Sequence, residues 1–150
     1  MARPARNAPQ LSQDAAVVLA LARTAMPFAC SYHDEAERWL RLLRMHGEVG
    51  AALQALGVGE APLDPASSER GAAVSRTGGR NGNGVVELIS ARACEFADAH
   101  RAATVGTVHL LFAVLSVYGV AFDHELYRRG ASRDELFEKL SIDAAARVGA

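Results

Sequence analysis

The chain has 150 residues, half of them apolar, and its 16 basic and 17 acidic side chains give a formal charge of −1. That length is enough for one real hydrophobic core. The balanced charge removes the electrostatic footprint of a nucleic-acid binder and any general attraction to an anionic membrane surface. Aromatic residues are only 6% of the chain, and the preponderance of alanine and leucine favours helices over a sandwich or barrel.

Met1 to Gln10, with two prolines and two arginines, reads as a loose tail. Ser12 then suits the N-cap of a first helix running to about Ala25, with Ala15, Val18, Leu19 and Ala22 on one face. Asp14 and Arg23 bracket this apolar run, which distinguishes it from the uninterrupted core of an export signal. Pro27 stops the helix, because proline disfavours helical geometry in the residue before it. Asp34 is positioned to cap a second helix, with Glu37 three residues on as in a capping box. Its stripe is Ala36, Trp39, Leu40 and Leu43, and Gly47 closes it. A third helix carries Val49, Ala52, Leu53 and Leu56, and ends at Gly57.

Residues 59–84 contain Pro62, Pro65 and the run Gly78-Gly79-Arg80-Asn81-Gly82-Asn83-Gly84. Such a segment buries too little apolar surface to offset its ordering entropy and reads as a mobile linker. Helical signals resume at Val85 and continue to about His100. Thr104 or Thr107 caps the next helix, with the stripe Val108, Leu111, Phe112 and Leu115 closed by Gly119. A helix from about Ala121 to Arg129 ends at Gly130, and Ser132 with Glu135 opens a last one carrying Leu136, Phe137 and Leu140. No segment shows a period of two, so the expected fold is all-α. The tail 142–150 reads as frayed.

The same pattern of stripe, glycine, helix and glycine thus occurs twice, about seventy residues apart. Shared punctuation of this kind implies two related units. The expected organisation is a single domain over 11–141, with repeat one at 11–58, the linker at 59–84 and repeat two at 85–141.

The segment Val105-Gly106-Thr107-Val108-His109-Leu110-Leu111-Phe112-Ala113-Val114-Leu115 resembles the G-T-E-H-L-L-L-A-L-L signature of the Clp N-terminal domain. The likeness extends through Gly119, Leu126, Gly130 and Glu135-Leu136, and in repeat one through Trp39 to Leu43 and Gly47 to Val58. The resemblance implies a pseudo-two-fold bundle of two four-helix repeats. It implies a non-catalytic module that recruits protein substrates or adaptors to an ATP-dependent unfoldase of the ClpA, ClpC or ClpB type. Glu37 to Leu40 is also similar to the N-domain of ClpV. The family's glutamate in each signature, which helps hold a phosphorylated arginine or basic adaptor group, is replaced here by Ala36 and Val108. Neither can pair with a guanidinium. The candidate protein-binding residues are the helix starts at Asp34, Glu35, Glu37, Thr104 and Thr107, and the groove where the halves meet. A stand-alone regulator or decoy binding the same partners is the alternative reading.

Chemistry of other kinds has little support. There is no G-x-x-x-x-G-K-[ST] phosphate loop, no nucleophile elbow and no H-E-x-x-H. His33, His46, His100, His109 and His124 include no pair at i, i+4, so no metal or cofactor is expected. Cys30 and Cys94 lack C-x-x-C spacing and read as the reduced thiols of a cytoplasmic protein. A monomer in isolation is what the resemblance to Clp N-terminal domains implies.

Overall fold

Ser12 sits in extended backbone and its Oγ accepts the Ala15 N–H at 3.0 Å, which starts α1 (Gln13–Ala25). The four predicted apolar residues of this helix, Ala15, Val18, Leu19 and Ala22, are fully buried. A computed structural model describes residues 10–59 and 82–140. Residues 1–9 of the expected loose tail, most of the linker (60–81), residue 141 and the expected C-terminal tail (142–150) lie outside the described residues. At Pro27 the chain tightens into a 3₁₀ turn, Met26–Phe28.

Helix α2 (Tyr32–Arg44) begins one turn earlier than the sequence suggests. Its N-cap is Ser31, whose Oγ accepts the Asp34 N–H at 3.1 Å. Asp34 is not the cap; its carboxylate reaches back to accept the Cys30 N–H at 2.8 Å. Ser31 thus satisfies an orphan donor of the first turn, while Asp34 ties down the residue just before the cap. Trp39, Leu40 and Leu43, with Ala36, are completely buried, as their spacing predicts.

Gly47 opens α3 (Gly47–Ala55) in the left-handed region, at φ +67°. A Cβ here would lie 2.6 Å from Thr107 Oγ1, so this glycine permits the close approach of α3 to the start of α5. The end of α3 is a Schellman motif: Val58 N–H reaches Leu53 O, Gly57 N–H reaches Gln54 O, and Gly57 has φ +83°.

Helix α4 (Gly82–Ala99) starts inside the glycine-rich run, so Gly82 and Gly84 belong to its first turn rather than to a linker. Its end repeats the Schellman pairing, Ala102 N–H to Ala97 O and Arg101 N–H to Asp98 O, with Arg101 held at φ 56°. Helix α5 (Thr107–Tyr118) is capped by Gly106, not by Thr104 or Thr107. The cap is completed by His109, whose Nδ1 accepts the Gly106 N–H at 3.0 Å. Helix α6 (Val120–Arg128) follows Gly119, which has φ +49°. It ends as α3 does, with Ala131 N–H to Leu126 O and Gly130 N–H to Tyr127 O. Ser132 Oγ then accepts the Glu135 N–H at 3.2 Å, and residues 133–140 are helical (α7).

The described chain is predominantly helical. Its strands are two residues each, β1 (Gln10–Leu11) and β2 (Thr104–Val105), paired in parallel with Gln10 opposite Thr104. A pair this short leaves no alternation in the sequence, and it draws Gln10 out of the expected tail. The buried apolar residues of all these elements form one continuous core. α2 packs on α3, α5 and α6; α5 packs on α3, α4 and α6; α1 packs on α2, α4 and α5. The central helix α5 buries more than one stripe. Leu110, Leu111, Ala113 and Val114 are inaccessible, whereas Val108 and Phe112 are only partly covered. A helix apolar on most sides does not reveal which stripe faces the core. No single described helix is long and apolar enough to cross a membrane.

Candidate protein-binding groove

Three helix starts converge on one side of the molecule: α1 after Ser12, α3 at Gly47 and α5 after Gly106. Between them lies an open groove of about 440 Å³, lined also by Asp14, Glu48, Ala51, Thr104, Val108 and His109. The approach is fixed at its floor, where Thr107 Oγ1 accepts the Val49 N–H at 3.4 Å beneath Gly47. Thr107 is therefore buried and structural, while Thr104 stays exposed on β2. Val108 lines the groove at the position where the family resemblance calls for glutamate.

The charged lining of the groove is acidic. Asp14 and Glu48 occupy the first turns of α1 and α3, where carboxylates also complement the helix dipoles. No lysine or arginine lines it. His109 carries its proton on Nε2, because Nδ1 accepts from Gly106. Its pKa is lowered from 6.5, first by burial and then by the neighbouring His100, with Glu48 acting in the opposite sense. At neutral pH the imidazole is thus uncharged and the groove keeps its acidic character.

The other predicted binding residues face a different way. Glu35 is 3% exposed, and its Oε1 accepts the Tyr118 hydroxyl at 2.7 Å. Tyr118 in turn accepts the Trp39 indole N–H at 3.3 Å, and its ring packs at a tilt against Tyr32, with centroids 4.9 Å apart. Glu37 accepts from Arg129 Nη2 at 2.8 Å across the seam between α2 and α6. Asp34 accepts from Arg38 Nε at 3.2 Å, one turn along its own helix. The α2 carboxylates consequently hold the fold together, and a partner has no access to Glu35. Ala36, at the other position where the resemblance calls for glutamate, is fully buried. Asp34, Glu35 and Glu37 do not join Thr104 and Thr107 in one site. The residues that sequence reasoning passed over, Asp14, Glu48 and His109, come together only because helix starts distant in sequence meet in space.

The chain matches no family model and no curated protein.

Proposed function

We propose that this chain is a duplicated helical module of the Clp N-terminal type. In this reading it acts in the cytoplasm and binds a protein substrate or adaptor for an ATP-dependent unfoldase, without chemistry of its own. The observation that carries the reading is reciprocal packing. If α1, α2 and α3 correspond to α4, α5 and α6, the contact of α2 with α6 is the counterpart of α5 with α3. The contacts of α1 with α4 and of α2 with α5 then map onto themselves. Matched Schellman ends at Gly57 and Gly130, about seventy residues apart, fit the same two-fold relation.

Recognition on this reading uses the acidic groove. Asp14 and Glu48 supply negative charge that Val108 does not, so the preferred partner segment is basic, with backbone groups reaching the exposed Thr104 edge. Charges at such an open rim set encounter rate and specificity more than raw affinity. Binding of a fluorescent lysine- and arginine-rich peptide, followed by anisotropy, tests this. The double change Asp14→Asn with Glu48→Gln should weaken binding at least fivefold and flatten its salt dependence, whereas Glu87→Gln on the outer face of α4 should not. Equal binding by all three proteins would refute the groove assignment.

A further inference from the structure

His33 lies in the first turn of α2 and His124 in the middle of α6. Their rings meet edge to face, with centroids 5.9 Å apart. Both are exposed, while Glu125 beside them is 1% exposed. Each of the three offers a ligand atom, and these atoms all lie within 4.8 Å of one another. We propose that His33, His124 and Glu125 form a binding site for a borderline divalent transition metal, with zinc as the type, clasping α2 to α6.

The donor set selects the metal. Two imidazoles and a carboxylate give three protein ligands with a fourth position open to solvent, the composition of a tetrahedral zinc site. Calcium and magnesium are disfavoured, because they require a fuller shell of oxygen ligands. Imidazole suits zinc, copper and nickel. Tetrahedral coordination at roughly 2.0–2.1 Å brings neighbouring ligand atoms to within about 3.4 Å of each other. The two histidines are exposed and the ring contact they make is with each other, so closing them around a shared ion leaves the core undisturbed.

Glu125 is already oriented for the role. Its Oε1 accepts from Arg129 Nη1 at 2.9 Å and from Arg128 Nη1 at 3.2 Å, and its Oε2 accepts from Arg128 Nη1 at 2.9 Å. A carboxylate offers about four acceptor directions, so these three bonds leave one, on Oε2, for a metal while fixing the group, as outer-shell partners do at metal sites. The two guanidiniums also repel a cation. Glu37, at 2.8 Å from Arg129 Nη2, offsets part of that charge.

Full-length protein stripped with a chelator and titrated with ZnCl₂ in a calorimeter tests the site, with histidine side-chain NMR on the same samples. Wild type should bind one zinc ion, perturb the resonances of His33 and His124, and melt at a higher temperature with zinc than without. His33→Ala and His124→Ala remove exposed groups and should fold normally, as circular dichroism will verify. Each should bind zinc at least tenfold more weakly and lose the thermal shift. His46→Ala and His100→Ala should bind as wild type does. The proposal is overturned if wild type shows no one-to-one binding up to about 100 μM free zinc. It is equally overturned if His33→Ala and His124→Ala retain wild-type affinity, if His100→Ala or His46→Ala abolishes binding, or if MgCl₂ produces the same response.

Discussion

Arg129→Met is expected to lower stability by about 3 kcal/mol. The guanidinium is wholly buried and joins three parts of the molecule: Nη1 donates to Glu125 Oε1 at 2.9 Å, Nη2 to Glu37 Oε2 at 2.8 Å and Nε to Gly59 O at 3.3 Å. Removing one partner of a buried ion pair costs about 3–5 kcal/mol, because the remaining charge is left in a poor dielectric. Two features place this site at the lower end. Arg128 also donates to Glu125, at 2.9 Å, and Glu37 is 22% exposed, so water reaches it once Arg129 is gone. For a chain of this size the loss corresponds to a fall of roughly 6–12 °C in Tm. Urea unfolding followed by circular dichroism at 222 nm provides the measurement. Arg129→Lys should recover only part of the loss, since one ammonium does not span both carboxylates as the planar fork does. Adding Glu37→Gln to Arg129→Met should cost little more, because the two residues act as a unit. A single Arg129→Met variant within about 1 kcal/mol of wild type would refute the reasoning.

Gly47→Ala should destabilise by about 2–4 kcal/mol, combining roughly 1 kcal/mol for the left-handed backbone with about 1–3 kcal/mol for overpacking against buried Thr107. Gly57→Ala, with φ +83° and open space around the new methyl, should cost only the backbone share in the same urea titration. Arg101→Gly runs the other way: an exposed arginine at φ 56° gives way to the residue that accepts this conformation, and stability should rise by about 0.5–1 kcal/mol. His109 carries a pH dependence. Its folded pKa lies below the unfolded 6.5, so between those values the unfolded chain binds more protons and stability falls as pH falls. His109→Gln, which retains an acceptor for Gly106, should remove that slope from a series of urea midpoints below pH 6.5, and an unchanged slope would contradict the assignment.

The local signals of this chain survive in the fold because each has a local cause. Ala15, Val18, Leu19 and Ala22 are buried because helical spacing alone puts them on one face, and Gly47, Gly57, Gly119 and Gly130 all adopt the positive φ that their places after apolar stripes predict. Asp34 suits a cap by type, but Ser31 three residues earlier takes that place by accepting the Asp34 N–H, and only geometry separates two such candidates. Arg101 shows the converse, a left-handed helix end with no glycine to announce it. What has no local signature is pairing across the halves. Glu37 with Arg129, Glu35 with Tyr118 and His33 with His124 join residues far apart in the chain, and no periodicity encodes such partners.

These long-range pairings decide how the function has to be tested. An acidic first turn on a helix is compatible with recognition or with cohesion, and burial is what distinguishes the two. Glu35, at 3% exposure, sits beneath Tyr118, and Glu37 neutralises an arginine that has no solvent of its own. Reversing the charge of either therefore perturbs folding before it reports on any partner, and a lost interaction would be ambiguous. Asp14 is exposed and Glu48 half-buried at an open rim, so neutral replacements there change the field of the groove with little effect on the core. Binding that survives at the groove in a Glu37→Gln variant with lowered Tm, and disappears in a normally melting Asp14→Asn and Glu48→Gln variant, would separate the residues that build the platform from those that use it.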